Sequence, residues 1–205
     1  MGAPSRNAVI AKRLGKADLS GLDVDTANAV NTRLVIAQNE ADRLGIPRLR
    51  GVTTAVGQSG GSMGDGILAV SKKYRINGTP LQPPSTYQLS DGNHGRPVNA
   101  REYFATNEER IERMIWHEFG HHIHQTFQVD SVSSYLHPPL EARLSEIILD
   151  QKRRFGALDF PSEYAKENFK EYFAETYCLH KMGRDDLVPS FMKDVIAKIE
   201  RGEMP

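Results

Sequence analysis

Hydrophobic residues recur at helical spacing in the first part of the chain. Between residues 24 and 44 an apolar side chain returns every three or four positions, and Gly45-Ile46-Pro47 ends the pattern. The pattern predicts an amphipathic helix over 24–44. We therefore interpret residues 1–47 as a helical N-terminal part.

The spacing changes to that of strands from residue 48. Segments 48–56 and 67–76 are rich in β-branched and aliphatic residues and predict two strands. The glycine-rich segment between them, 57–66, lacks the Gly-Lys-Ser/Thr ending of a phosphate-binding loop, so we interpret it as a connection. Turn-forming residues concentrate in 77–100 and predict an irregular loop. Residues 48–105 are thus expected to form a sheet with loops.

Helical spacing returns after residue 105 and continues to residue 205. Thr106 and Glu109 have the spacing of a capping box, which predicts a helix from Thr106 to about Val129. Prolines near a helix start and glycine past its end mark further helices. These run from Pro138-Pro139 to Phe155, from Pro161-Ser162 to Lys181, and over 188–201.

The first of these helices combines an apolar face with an imidazole face. At about 100° per residue, His117 and His121 lie about 40° apart, on the side opposite the apolar residues. Two histidines four residues apart on one helix face can both bind one tetrahedral metal ion. Glu118 lies beside them and can act as a general base towards a water that the metal activates.

Two neighbouring histidines fit the metal less well. His122 falls outside the ligand arc, and we interpret it as a residue at the boundary of the core. His124 falls on the arc but one turn further along, and three histidines in a row along a helix cannot close a tetrahedron around one ion. We expect His124 to contact solvent or a ligand rather than the metal.

Gly120 is a separate signal within the same helix. Glycine in a helix interior costs about 1 kcal/mol relative to alanine. Its presence predicts that another segment approaches the helix closely at this point.

A catalytic metal commonly has three protein ligands, so a third must come from elsewhere in the chain. If the helix from Pro161-Ser162 is continuous, Tyr164, Glu171, Glu175 and Cys178 share one face, because they are spaced by seven, four and three. Spacing leaves Glu171 and Glu175 as rivals for the third ligand. A solvated glutamate stripe is the alternative, and for Cys178 a small buried filler is a better interpretation than a nucleophile.

The composition narrows the function classes. Lys plus Arg and Asp plus Glu are both 26, so the formal net charge is zero and nothing favours bulk attraction to nucleic acid or to an anionic membrane. The chain has one cysteine and no apolar run long enough for a signal peptide or a membrane span. We expect one domain of 205 residues, cytoplasmic or delivered without a classical signal peptide.

Two segments together resemble a known family. HEFGH at 117–121, followed by EYAKENFKEYFAETYCLH at 163–180, is similar to the zinc metallopeptidase domain of anthrax lethal factor and of the lethal-factor-like domains in bacterial and phage proteins. The resemblance covers roughly residues 100–185 and does not extend to residues 1–66.

The resemblance implies a role for each matching residue. His117, His121 and Glu171 match the zinc ligands, and Glu118 matches the general base. Tyr164 matches a tyrosine that assists at the oxyanion. Glu175 matches a second glutamate that orients a ligand histidine.

We therefore expect an α+β, zincin-like fold, with a small, twisted, mostly antiparallel sheet over the helix of the two histidines. The expected activity is zinc-dependent hydrolysis of protein or peptide substrates, with strand 67–76 as the sheet edge that pairs with the substrate. One alternative is a zinc-stabilised, non-catalytic binding or structural domain of a phage or mobile-element protein. Hydrolysis of a non-peptide bond is another.

Overall fold

The computed structural model describes residues 16–56, 60–77, 87–88, 97–98, 106–127, 140–156, 160–162 and 164–205. Over these residues the fold is α+β, with five α-helices and a four-stranded mixed sheet. The helices are α1 (Val24–Leu44), α2 (Asn107–Thr126), α3 (Leu140–Phe155), α4 (Phe169–Lys181) and α5 (Ser190–Glu200). The strands of the sheet are β1 (Lys16–Ala17), β2 (Gly51–Ala55), β3 (Gly61–Gly64) and β4 (Ile67–Ser71).

The helix ends follow local capping signals. In α1, Asp23 accepts a hydrogen bond from the backbone N–H of Thr26, and Gly45 ends the helix with a left-handed backbone. In α2, Thr106 and Glu109 form the predicted capping box in both directions. The predicted helix over 24–44 is confirmed. Helix α2 ends at Thr126, slightly before the predicted end near Val129. The predicted Pro138-Pro139 start lies outside the described residues.

The sheet order is β1-β2-β4-β3, and the prediction of a mostly antiparallel sheet is wrong. The β1–β2 and β2–β4 pairs are parallel, and β3–β4 is antiparallel. The reason is that β3, which follows β2 in the chain, lies at the edge of the sheet. Strand β4 then lies between β2 and β3, parallel to the first and antiparallel to the second. Asp65 and Gly66, both with positive φ, form the two-residue turn from β3 to β4.

The strand at the sheet edge also differs from the prediction. Within 67–76 the strand covers only Ile67–Ser71 and lies between β2 and β3. The edge next to β4 is formed by β3, which belongs to the glycine-rich segment that we interpreted as a connection, and β1 forms the opposite edge. The Gly-Ser-Met-Gly sequence of β3 hides the strand because glycine and serine carry little strand propensity.

Part of the predicted loop 77–100 also pairs. Tyr87–Gln88 (β5) and Pro97–Val98 (β6) form a two-residue antiparallel ladder. The rest of the loop beyond residue 77 lies outside the described residues.

The sheet and the helices share one hydrophobic core that is centred on α2. The fully buried side chains of this core come from several elements, among them Leu34, Leu68, Ile111, Phe119, Ile148, Phe173 and Ile196. One face of α2 therefore lies in the core, while its other face is free to carry polar groups against α4. Of the described helices, none has the length and apolar character needed to cross a bilayer.

A buried polar cluster joins the first helix to the last two. Glu40 on α1 accepts hydrogen bonds from Arg43, from the Tyr177 hydroxyl and from Lys181, at 2.7–2.9 Å. Arg43 and Lys181 also contact Glu200 at the end of α5. The positive charges on both sides compensate the burial of the Glu40 carboxylate, which is 8% exposed.

Candidate metal centre

The centre lies where α2 and α4 pack against each other. Gly120 is the point of closest approach: a Cβ placed on it would lie 2.8 Å from the Ala174 Cα. Since real Cβ atoms do not come so close to backbone, only glycine fits at this position. The close approach predicted from the sequence is therefore confirmed, and it brings the imidazoles of α2 against the carboxylates of α4.

The first turn of α4 carries Glu171. Asn168 caps this helix by accepting hydrogen bonds from the backbone N–H groups of Lys170 and Glu171, at 2.9 and 3.0 Å. The helix thus starts at Phe169, and the prediction of a start at Pro161-Ser162 is wrong. The side chain of Asn168 satisfies two amides of the first turn, and this fixes the beginning of the helix.

Three donor atoms converge between the two helices. Nε2 of His117 and Nε2 of His121 are 3.2 Å apart. Oε2 of Glu171 lies 3.1 Å from the first and 3.2 Å from the second. All three side chains are at least 85% buried. Among the described residues, these are the three that could hold one metal ion.

The triangle has the size that a tetrahedral ion requires. Ligands at about 2.0–2.1 Å from an ion are about 3.3 Å apart at the corners of a tetrahedron. Oε2 of Glu171 is buried, and among the described residues no regular hydrogen bond satisfies it. An unsatisfied carboxylate oxygen beside two imidazole nitrogens fits a bound cation.

Glu175 lies one turn after Glu171 and has a different environment. Its Oε1 is 2.7 Å from Nδ1 of His117, on the side of the ring away from Glu171. Oε1 also accepts a hydrogen bond from Nη2 of Arg113 at 2.6 Å, and the Ser162 hydroxyl donates to the same carboxylate. Burial would raise the pKa of Glu175, but Arg113, His117 and Ser162 outweigh burial and lower the pKa. Glu175 therefore contacts the far side of the His117 ring and lies outside the triangle.

The charges in the centre depend on one another. Burial disfavours a charged His117, but the carboxylates of Glu171 and Glu175, which lie 3.1 and 2.7 Å from its ring nitrogens, raise the pKa of the imidazole to about 9. Burial likewise opposes ionisation of Glu171, and the two histidines outweigh it and lower the pKa of that carboxyl to about 2. The Glu171 carboxylate therefore stays ionised beside the two imidazoles.

Glu118 is 6% exposed and lies below the edge strand. A Cβ placed on Gly61 of β3 would lie 3.0 Å from the Glu118 Cγ, so the strand backbone passes directly over this side chain. Burial is the main cause that raises the pKa of Glu118, and the nearby histidines partly oppose it. A carboxylate with a raised pKa is a stronger base than a solvated one.

Tyr164 reaches the centre from outside α4. It lies on a 3-10 turn, Tyr164–Lys166, so the helix face on which the sequence argument placed it does not exist. Its ring centroid is nevertheless 5.6 Å from that of His117. Burial and the nearby Glu171 raise the pKa of its hydroxyl, which therefore stays protonated at neutral pH.

The other singled-out side chains lie outside the triangle. His124 is buried without joining it. His122, expected at the core boundary, is 1% exposed, and its Nε2 lies 2.6 Å from the carbonyl of Pro47. Cys178 is buried, and burial raises the pKa of its thiol, which fits a filler and not a nucleophile.

Two functional contacts were missed from the sequence. Arg113 lies four residues before His117, so the helical spacing that grouped the histidines also placed it on their face. Ser162 carried no such signal, because it was taken as the start of a helix.

Comparisons of the chain with protein-family models, with curated proteins and with solved structures found no match.

Proposed function

We propose that the chain is a zinc-dependent peptidase with a zincin-like fold, of the kind seen in lethal-factor-like domains. The observation that carries the proposal is the triangle of His117, His121 and Glu171, with Glu118 on the same helix as the two histidines. Two nitrogens and one carboxylate oxygen form a ligand set that catalytic zinc sites use, with a fourth position left for water or substrate.

The residues around the triangle support hydrolysis over a purely structural metal. A structural zinc site is commonly closed by four protein ligands, whereas three ligand groups converge here within the part of the chain that the structure describes. A structural site would also have no use for a buried base such as Glu118 or for the hydroxyl of Tyr164. These two side chains are the reason to prefer a peptidase over a non-catalytic zinc domain.

Each residue would have a defined task in peptide hydrolysis. His117, His121 and Glu171 would hold the ion, and Glu175 would orient the ring of His117. When bound, zinc supplies a Lewis acid that polarises the scissile carbonyl and lowers the pKa of water. The Glu118 carboxylate takes a proton from the attacking water and passes it to the leaving amine nitrogen. The hydroxyl of Tyr164 donates to the oxygen on which negative charge develops.

The substrate would bind along β3 rather than along β4. Strand β3 lies at the edge of the four-stranded sheet and its backbone passes over Glu118. An extended peptide that adds to this edge would place one of its carbonyls near the general base. The partner is thus a protein or peptide in extended form.

The test is a digest of a peptide library by the zinc-loaded protein, with cleavage sites read by mass spectrometry. Glu118→Gln is the matched control, because it is close to isosteric and leaves the three ligands in place. We expect cleavage by the wild type and a loss of about a hundredfold to ten-thousandfold in the variant, with metal content unchanged. Zinc-loaded wild type that cleaves no peptide would favour the non-catalytic alternative.

A further inference from the structure

The two nearest cationic contacts of Glu175 come from one helix. Arg113 and His117 are four residues apart on α2. Nη2 of Arg113 donates to Oε1 of Glu175 on α4 at 2.6 Å, and Nδ1 of His117 lies 2.7 Å from the same oxygen. Glu175 is 1% exposed and the Arg113 side chain 18% exposed. The carboxylate is therefore held between a guanidinium and an imidazole in a place that excludes most water.

This arrangement decides which nitrogen of His117 faces the triangle. A carboxylate that accepts the Nδ1–H of an imidazole fixes the tautomer and the ring orientation, and leaves the Nε2 lone pair for a metal. The effect requires that the carboxylate itself keeps its orientation. A single contact to His117 would let Glu175 and the ring turn together.

Arg113 supplies a second, charged anchor for the carboxylate. An N–H···O⁻ bond from a guanidinium is short and strong, and guanidinium keeps its charge at every physiological pH. The Ser162 hydroxyl adds a neutral contact to the same group. The arginine thus fixes the oxygen that lies 2.7 Å from Nδ1 of His117.

We propose that Arg113 is a positioning residue of the metal centre and acts on His117 through Glu175. The inference rests on the proposed metal centre but not on hydrolysis, since it concerns metal affinity alone. Nη2 of Arg113 contacts Glu175, and Glu175 in turn lies against Nδ1 of His117. Replacing Arg113 should therefore have no further effect on metal affinity once the Glu175 carboxylate has been removed.

Metal affinity in Arg113→Met is the first test, measured by competition of Zn²⁺ between the protein and a chromophoric chelator. We expect binding weaker by about tenfold to a hundredfold, as for partners that orient ligand histidines. Arg33→Met is the matched control, because Arg33 pairs with Glu112, the neighbour of Arg113 on the same helix, at 3.0 Å. Its zinc affinity should stay within twofold of wild type.

A double-mutant cycle with Glu175→Gln shows whether Arg113 acts through Glu175. We expect Arg113→Met/Glu175→Gln to bind zinc as tightly as Glu175→Gln alone. Losses that multiply in the double variant would overturn the inference. If Arg113→Met does not fold, the double variant still tests the inference. With an uncharged side chain at position 175, no buried carboxylate is left without its arginine.

The Nδ1–H proton of His117 gives a readout independent of affinity. In the zinc-loaded wild type, NMR should detect this proton as slowly exchanging, and Arg113→Met should exchange it faster while Arg33→Met does not. Unchanged exchange and unchanged affinity in Arg113→Met would overturn the inference while leaving the metal centre intact. A wild type that binds no zinc would instead remove the metal centre and the inference with it.

Discussion

Gly120 and Ala174 meet where the two helices of the metal centre cross, and a Cβ on Gly120 would lie 2.8 Å from the Ala174 Cα. This contact sets the distance between the imidazoles of α2 and the carboxylates of α4. Backbone at this distance cannot move aside as a flexible side chain would. Alanine at position 120 must therefore push the helices apart.

For Gly120→Ala, two effects oppose each other. Alanine favours a helix interior by about 1 kcal/mol over glycine, whereas overpacking of a core typically costs about 1–3 kcal/mol. We expect a net loss of about 1 kcal/mol in the free energy of unfolding, together with weaker zinc binding. Chemical denaturation and chelator competition measure both quantities. A stabilised variant with unchanged zinc affinity would show that helix propensity is the larger effect.

The two glutamates of α4 should behave differently on chelation. Glu171 supplies a donor atom of the triangle, whereas Glu175 contacts the far side of the His117 ring. Glu171→Ala should lose zinc under mild chelation. Glu175→Ala should bind it about tenfold to a hundredfold more weakly and still be reloadable.

Metal analysis after dialysis against a weak chelator separates the two variants. His124→Ala is the control, because this buried histidine lies on the same helix as the ligands but outside the triangle. It should retain one zinc per chain. The reverse order, with zinc lost from Glu175→Ala and kept by Glu171→Ala, would contradict the proposed ligand set.

Tyr164→Phe should separate binding from catalysis. The hydroxyl would matter only once charge develops on the carbonyl oxygen, so zinc affinity and KM should change little while kcat falls about a hundredfold or more. Tyr177→Phe is the control, since its hydroxyl contacts Glu40 away from the metal centre. That variant should keep kcat and lose stability. An unchanged kcat in Tyr164→Phe would exclude the hydroxyl from the reaction.

Glu40 should make the fold sensitive to acid. Burial would raise the pKa of Glu40, but hydrogen bonds from Arg43, Lys181 and Tyr177 lower it to about 2, from an ordinary value of 4.5. Because the folded pKa is the lower one, the stabilisation is fully present above pH 4.5 and is lost as the pH falls through about 2.

Denaturation of wild type and Glu40→Gln between pH 7 and pH 2 tests this dependence. The difference in unfolding free energy between them should be largest at neutral pH and should shrink below pH 4.5. Glu203→Gln provides the control, because Glu203 is exposed and pairs with Arg201 at the surface. Its difference from wild type should stay small throughout. A Glu40→Gln difference independent of pH would contradict the role of the charge.

Features that depend on a few neighbouring residues could be predicted from the sequence. His117 and His121 were found because their spacing acts within one helix, and the capping box at Thr106 is equally local. Tyr164, which the resemblance assigned to the centre, has its ring centroid 5.6 Å from that of His117, although the helix face invoked for it does not exist.

The errors, and the questions that spacing left open, concern features that only the assembled fold decides. Strand β3 consists of residues with little strand propensity and is recognisable only by its pairing with β4. The choice between Glu171 and Glu175 depends on where α4 crosses α2, which is a contact between residues about fifty positions apart. Arg113 lies on the same helix face as His117, but no signal within that helix identifies Glu175 as the carboxylate that both side chains contact.

The cluster around Glu40 joins segments that a ribosome synthesises at very different times. Lys181 follows Glu40 by 141 positions, which corresponds to about 7–28 seconds at typical translation rates of about 5–20 residues per second. During that interval α1 carries a carboxylate whose lysine has not yet been made, so its burial is unfavourable. The N-terminal helix should therefore complete its docking only after α4, which carries Lys181, has been synthesised.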